Sequence, residues 1–387
     1  MLQSTPTANR IHISFFGCTN AGKSSLVNAI TNQDLAVVSE IKGTTTDPVS
    51  KTMELLPLGP VVIIDTPGFD DESALGKKRI EKTNRVLAKT DIAVLVVDIN
   101  VGLSSKDKEL IELFKNHNTP YLVVYNKSDT GKTFEGELCV SAKTGFNVKL
   151  LKEKLALYNK KEEKYIVNNK LKKGETVILV IPIDEAAPKG RIILPQQNVL
   201  RELLDNHNSV ICCQVEELKD NLKYNPSLVI TDSQAFNKVS KIVGEDILLT
   251  SFSILFANYK GELNALIEGV KKLKELKDGD KILICEGCTH HRQCNDIGTV
   301  KIPNWIMEFT KKELIFEFTQ GGEFPLDLTK YSLVIHCGGC MLNEKEMKYR
   351  INQARTQGVK IINYGILIAY INGILERSLK IFPEISL

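Results

Sequence analysis

The sequence predicts an α/β fold class: an N-terminal P-loop domain followed by two smaller α/β domains. Three observations lead there. The β-type run "IHISFFG" opens directly into "GCTNAGKS" and then into the helix-forming "SSLVNAI". Apolar runs of strand length alternate with amphipathic stretches along the whole chain, the pattern of parallel sheets covered by helices. A content of 43% hydrophobic and 25% charged residues over 387 positions is ordinary for globular protein and fills two or three cores. The expected divisions are 1–160 for the P-loop domain, 161–172 for a charged linker, 173–249 for the first small domain and 250–387 for the second.

Charge narrows the class. Fifty basic residues against 47 acidic ones leave a net +3, too balanced for a nucleic-acid footprint, which needs clustered charge. The apolar run "GVKIINYGILIAYINGIL" is broken by Asn363 and Asn372 and is shorter than a membrane span needs, so it reads as a core strand and helix. The polar start "MLQSTPTANR" lacks the apolar stretch of a signal peptide, and a cytoplasmic location is expected. In a reducing compartment nine Cys mean free or metal-bound thiols rather than a disulfide framework.

Gly17 to Ser24 fits G-x-x-x-x-G-K-[ST] between a strand and a helix. Gly17, Asn20, Ala21, Gly22 and Ser25 belong to the loop and helix start whose N–H groups face phosphate; Lys23 reaches the β/γ-phosphates and Ser24 holds Mg2+. "VVIIDTPG" ends a strand on Asp65, an acid for the Mg2+ shell, with the Gly68 amide placed for a γ-phosphate. "YLVVYNKSD" is a third buried strand carrying Asn126, Lys127 and Asp129. It resembles the N-K-x-D motif of the Ras-like GTPases, which implies that Asp129 accepts both the ring N–H and the amine of guanine. "VSAKTG" supplies Ser141, Ala142 and Lys143, similar to the S-A-K loop of that family. GTP with Mg2+ is therefore the expected ligand pair.

"KGTTTD", 42–47, resembles the first switch of the Era/TrmE-like GTPases, which implies that Thr45 closes on Mg2+; Thr46 stands where that pattern has Arg. Phe69 occupies the position where Ras-type enzymes carry a water-orienting Gln, and an apolar side chain cannot orient water. Asn20 matches the Asn of potassium-activated members, which implies K+ near the β/γ bridge in place of an arginine finger; its plainer role is to stabilise the loop. Lys23, Thr45 and Asn20 are the expected catalytic residues.

The charged stretch 158–175 ends the P-loop domain. Strand-then-helix patterns follow at "TVILVIPID", "SVICCQVEELKDNL" and "SLVITDSQAFNKVSKIV". This small unit holds no phosphate loop and no ligand cluster, so an assembly role is expected, with Cys212 and Cys213 read as buried structural thiols. No internal repeat is evident. Further on, "DGDKILICEGCTHHRQCND" runs a strand into Cys288 and His290, with Cys285 packed in the strand; "YSLVIHCGGC" runs another into His336, Cys337 and Cys340. Two strand ends can converge at one sheet edge. Three thiolates and up to two imidazoles suit a closed zinc site or an iron–sulfur site, and spacing does not separate them. The glycines of "HCGGC" let the backbone fold around a bulky centre.

The order of these motifs, with "PKGRIILPQ" and "CTHH", resembles the maturation GTPases of iron-only (FeFe) hydrogenase along the whole chain. The resemblance implies that Cys288, Cys337 and Cys340 bind a 4Fe-4S cluster, with His290 and His336 as further ligands or hydrogen-bonding neighbours. It also implies a transient diiron precursor carried to apo-hydrogenase, radical-SAM maturation enzymes as partners, and a homodimer or higher oligomer formed through the middle domain. Cys294 lies outside the motif. The competing readings are an Era/TrmE-like RNA- or ribosome-associated GTPase with a structural zinc module, and a metal-delivery GTPase with a zinc or nickel site. Balanced charge and no recognisable RNA module count against the first.

Overall fold

A computed structural model describes residues 5–32, 48–69, 76–158, 164–183, 190, 192–287 and 296–385. The chain divides into two compact units, Met1–Glu162 and Glu163–Leu387. The first is one five-stranded sheet of β1 (Ile11–Phe16), β2 (Val49–Leu55), β3 (Gly59–Asp65), β4 (Ile92–Asp98) and β5 (Tyr121–Asn126), in the order β2-β3-β1-β4-β5. Only β2 runs antiparallel. Helices α1 (Lys23–Thr31), α2 (Gly76–Ala88), α3 (Ser105–Asn116) and α4 (Val148–Leu157) complete it. The parallel strands are continuous apolar runs because both faces are covered: Ile13 and Phe15 of β1 enter one core cluster and Phe16 the other. P-loop, β3 end and β5 end therefore meet at one carboxyl edge, where open α/β sheets bind ligands.

The second unit contains two four-stranded parallel sheets. One uses β6 (Thr176–Val180), β7 (Ser209–Cys213), β8 (Leu228–Thr231) and β9 (Leu248–Ser251), ordered β7-β6-β8-β9. The other uses β10 (Lys281–Glu286), β11 (Ile315–Gln320), β12 (Leu333–His336) and β13 (Lys360–Asn363), ordered β11-β10-β12-β13. The helices are α5 (Leu194–Asp205), α6 (Leu218–Asn221), α7 (Phe236–Ile242), α8 (Phe252–Lys260), α9 (Leu263–Glu268), α10 (Ile302–Thr310), α11 (Glu344–Thr356), α12 (Tyr364–Ile371) and α13 (Leu375–Leu379). One apolar core runs from Ile166 to Phe382. The linker expected over 161–172 thus ends early: Ile166 and Val167 are buried, their N–H groups donating to the Glu202 carboxylate. The expected division at 249/250 falls inside β9.

The two sheets are copies of one winding. The first-laid strand sits second in each sheet, and both start from the same turn: Lys172 N–H donates to Glu175 Oε2 at 2.9 Å, and Lys277 N–H to Asp280 Oδ2 at 2.8 Å. Gly174 and Gly279 share φ +83. β8 reads "LVITDS" where β12 reads "LVIHCG". "FSILFANYKGEL" after β9 matches "YGILIAYINGIL" after β13, with Ile, Leu, Ala, Gly and Leu recurring at the same spacing. The helices start alike, capped by Ser251 and Asn363. An internal repeat is therefore present, against the reading that none was evident; it keeps few residues beyond turn, cap and core positions.

The copies face each other by an approximate twofold. A β-carbon added to Gly365 would lie 2.4 Å from Ser253 Cβ and 3.1 Å from Ser233 Oγ; one added to Gly338 would lie 4.0 Å from Ser253 Oγ. Gly365 corresponds to Ser253 and Gly338 to Ser233, so the contacts are reciprocal, as in an isologous interface. One correction concerns β7: it is an edge strand, so Cys212 is exposed and Cys213 only half-buried, not core thiols.

Candidate functional site

In the first unit Gly17 (φ +141) and Gly22 (φ +87) take conformations that side chains rarely adopt. A β-carbon at Gly17 would meet Val96 O at 2.2 Å, and one at Gly22 would meet Asn126 Nδ2 at 2.2 Å. The loop thus lies flat on the sheet edge. Asn126, at the end of β5, ties the edge together: its Nδ2 donates to Ala21 O at 3.1 Å, and its Oδ1 accepts from Ala142 N–H at 3.0 Å. Lys23 is buried and its Nζ donates to Gly17 O (3.1 Å) and Cys18 O (2.9 Å). Ser24 Oγ donates to Asp65 Oδ2 at 2.6 Å, while Asp65 Oδ1 is buried with no hydrogen-bond partner among the described residues. Burial pushes the Asp65 carboxyl up, opposed by the Ser24 hydrogen bond and the Lys23 charge. A hydroxyl beside a buried carboxylate with an unused oxygen suits Mg2+, a hard cation that takes oxygen ligands.

The base-side residues also gather. Asp129 is exposed at the sheet edge and its Oδ1 accepts from Ser141 Oγ at 2.7 Å. Lys127, at φ +68, ion-pairs with Asp98 at 2.6 Å, a partner that sequence reasoning did not single out. Lys143 and Asn20 are exposed, Asn20 at φ +62. Gly68 packs on Thr19, and Phe69 is buried with its N–H donating to Gly17 O at 3.1 Å. Thr45 and Thr46 lie outside the described residues.

In the second unit β10 and β12 are adjacent, with Cys285 opposite His336, at the point where the strand order reverses. Cys337 N–H donates to Cys285 O at 2.8 Å, which fixes the start of the "HCGGC" turn over the β10 end. Cys337 Sγ accepts two backbone N–H groups, from Gly287 (3.0 Å) and Gly339 (3.4 Å). Gly339 sits at φ +60, where an added β-carbon would strike Met347 Sδ at 2.5 Å. Burial lifts the Cys337 thiol to about 11 against these hydrogen bonds, and it lifts Cys340 as well. Cys285 is fully buried and pushed up to about 12, as suits a packed thiol. Cys288, His290 and Cys294 lie outside the described residues, and among the described ones no group of three metal-ligating side chains forms.

His336 is fully buried. Its Nδ1–H donates to Cys337 O at 2.8 Å, so its Nε2 accepts from Arg350 Nη1, also at 2.8 Å. Burial and the Arg350 charge hold it down to about 3, hence neutral. In this arrangement both ring nitrogens are engaged by protein groups. Arg350 is itself buried, donating also to Gly321 O (2.7 Å) and Glu346 Oε1 (2.6 Å). Two soft thiol sulfurs at a strand-end turn, one already receiving backbone N–H groups, fit an iron–sulfur centre, whose sulfurs take such hydrogen bonds.

Comparison with known families decides the kinship. A model described as "Hydrogen maturase F dimerization domain" matches residues 166–261, and one described as "Hydrogen maturase F tetramerization domain" matches residues 264–381. Together they take in more than half of the chain. The chain belongs to the hydrogen maturase F family. Its first unit is the GTPase domain of this maturase: a model described as "50S ribosome-binding GTPase" matches residues 12–127. The curated relatives are similar over part of the chain. GTPase Der of Kosmotoga olearia is 33% identical over 176 residues, 40% of each chain. tRNA modification GTPase MnmE of Thermosipho melanesiensis is 33% identical over 152 residues, 38% of this chain and 34% of that one. The chain thus spans two fifths or less of these relatives. Among solved structures, a single-residue variant of Aquifex aeolicus Era bound to GDP·AlF4− is 18% identical, covering 60% of this chain and 98% of that one at a TM-score of 0.36. The fold of this maturase rests on its own sheet orders rather than on that overlay. No helix among its described residues is long and apolar enough to cross a membrane.

Sequence reasoning missed two residues of the maturase's cysteine edge, Lys260 and Arg350. Both are cations, so the bland reading is a solvated helix face. The available signal was position: each stands on a helical face with apolar neighbours, Phe256 and Ala257 before Lys260, Met347 and Ile351 around Arg350.

Proposed function

We propose that this maturase hydrolyses GTP, binds a 4Fe-4S cluster through Cys288, Cys337 and Cys340, and carries a diiron precursor to apo-hydrogenase as its cargo. The reading includes cytoplasmic work beside radical-SAM maturation enzymes, as a homodimer or higher oligomer. The observation that carries the cluster is the pair of backbone N–H groups on Cys337 Sγ at the strand-order switch of the second sheet. His336 and Arg350 brace that turn. On the GTP side, Lys23 would face the phosphate oxygens, Ser24 and Asp65 would hold Mg2+, and Asp129 would read guanine. Mg2+ supplies charge neutralisation across the phosphates when bound. Thr45 would complete the Mg2+ shell, and Asn20 would hold K+ in the absence of a water-orienting Gln at Phe69.

The deciding measurement is anaerobic purification followed by iron, sulfide and zinc analysis, with EPR of the reduced protein. About four irons and four sulfides per chain are expected, lost on Cys337→Ala or Cys340→Ala. Stoichiometric zinc without iron would overturn the cluster in favour of a structural zinc module.

A further inference from the structure

Lys260 is buried at the end of α8, and its Nζ donates to three carbonyls of one turn: Gly339 O (3.1 Å), Cys340 O (3.1 Å) and Leu342 O (2.8 Å). Three carbonyl acceptors match the three N–H donors of an ammonium. The Phe256 ring lies 5.6 Å from Nζ. Among the described residues no carboxylate pairs with it: Glu344, the nearest acid of the turn's following helix, is engaged by Lys164 and Lys348. A buried ammonium held only by carbonyls lacks a counter-charge, which is costly in an interior. The groups that could supply one are the sulfurs of Cys337 and Cys340, on the turn that Lys260 grips.

The internal repeat provides the control. By the approximate twofold, Lys260 corresponds to Asn372, and the Cys337–Cys340 turn to the turn after β8. Asn372 lines a groove of about 520 Å³ together with Gln234 and Asn237 of that region. The frame therefore offers the same reach twice: at the position of Lys260 the other half carries the neutral Asn372, and the lysines near its turn come from another element, Lys301 donating to the Gln234 side chain and Lys311 lining the groove, so the helix-end cation that grips the turn's carbonyls belongs to the half with the cysteines.

We propose that Lys260 is a positioning residue for the cluster: it holds the Cys337–Cys340 turn and sets a fixed positive charge beside it that favours the reduced state. This rests on the reading that these two Cys hold the cluster. A cubane with three thiolates is net negative, and each added electron increases that charge, so a nearby cation stabilises the reduced form and raises the midpoint potential.

The test is an EPR-monitored redox titration of the iron-loaded full chain, for wild type, Lys260→Met and Lys260→Arg. Met keeps the length without the charge; Arg keeps the charge. The expected result is a lower midpoint in Lys260→Met, by at least a tenfold change in the oxidised-to-reduced ratio at a given potential, about 59 mV for one electron, with most of it restored by Lys260→Arg. Loss of iron from the Met variant alone, rescued by Arg, also supports the proposal. An iron-loaded Met variant with the wild-type midpoint overturns it, and so does equal loss of iron from both variants. Failure of the underlying reading is distinguishable, because then wild type itself holds no iron that depends on Cys337.

Discussion

Asp129 has one carboxylate oxygen accepting from Ser141 Oγ and the rest of the group exposed at the sheet edge. That geometry leaves lone pairs for two adjacent donors on a base, as guanine presents. Asp129→Asn replaces an acceptor with a donor, and a site built to pair buried polar groups rejects a mismatch strongly. We expect kcat/KM for GTP to fall by about 100-fold or more, with xanthosine triphosphate becoming the better substrate; wild-type turnover of ATP equal to GTP would refute the guanine reading. At Asn20 the question is side chain against backbone. Its φ of +62 is tolerated by Asn and Gly but costs Ala about 1 kcal/mol or more. GTP turnover faster in K+ than in Na+ at matched ionic strength is expected for wild type, and lost in both Asn20→Gly and Asn20→Ala. If Asn20→Gly keeps the salt difference, the carboxamide is not the K+ ligand and only the loop conformation matters. Most of the GTP-side residues were legible in sequence because phosphate loops depend on residue types at fixed local spacing. Lys127–Asp98 was not, because Asp98 lies on a different strand.

Helix α3 shows how an element is anchored next to that edge. Ser104 Oγ accepts from Asp107 N–H at 3.2 Å while the Asp107 carboxylate accepts from Ser104 N–H at 2.9 Å, a reciprocal cap that satisfies two end donors. Cys18 of the P-loop touches the same pair, with Sγ 3.5 Å from Ser104 Oγ and 3.6 Å from Asp107 Oδ1. Ser104→Ala should lower the stability of the first unit by about 1 kcal/mol, read as a shift in urea midpoint and faster hydrogen exchange in the first turn of α3. Exchange rates unchanged there would mean that solvent replaces the cap without cost. The central strands were readable as apolar runs because burial on both faces leaves nothing else possible, whereas β2 and β11 are largely open and carry charged residues. The same composition hid the status of β7, since an edge strand with apolar residues looks like a central one until its neighbours are known. The repeat escaped notice for a related reason: two copies need agree only at turns, caps and core positions, and those are scattered.

At the scale of the whole molecule the two candidate sites belong to different compact units. Substitutions at one should therefore leave the resting chemistry of the other intact. Lys23→Ala is expected to abolish GTP turnover and leave iron content unchanged; Cys340→Ala should remove most of the iron and leave GTP turnover within about twofold. Parallel iron assays and phosphate-release assays on the two variants check this, and loss of iron in Lys23→Ala would show that nucleotide is needed to load the metal. The residue types of the cysteine edge were legible from "HCGGC", whereas its supporting cations were not. Lys260 and Arg350 reach it from α8 and α11, and such long-range supports leave no mark on local spacing.

The duplicated winding of the second unit has a consequence for how the chain must be made. Two segments with the same strand order and the same starting turn can each accept the other's strands, so during synthesis a strand of one half can dock into the sheet of the other, or into that of a neighbouring chain. Repeat-bearing proteins are prone to this kind of misassembly. Divergence between the copies counters it. β12 ends in His336, which Arg350 of its own half receives, while β8 ends in Thr231, and an exchanged strand would part the imidazole from that guanidinium. Losing the buried His336–Arg350 pair would then count against the wrong half, however closely its winding matches.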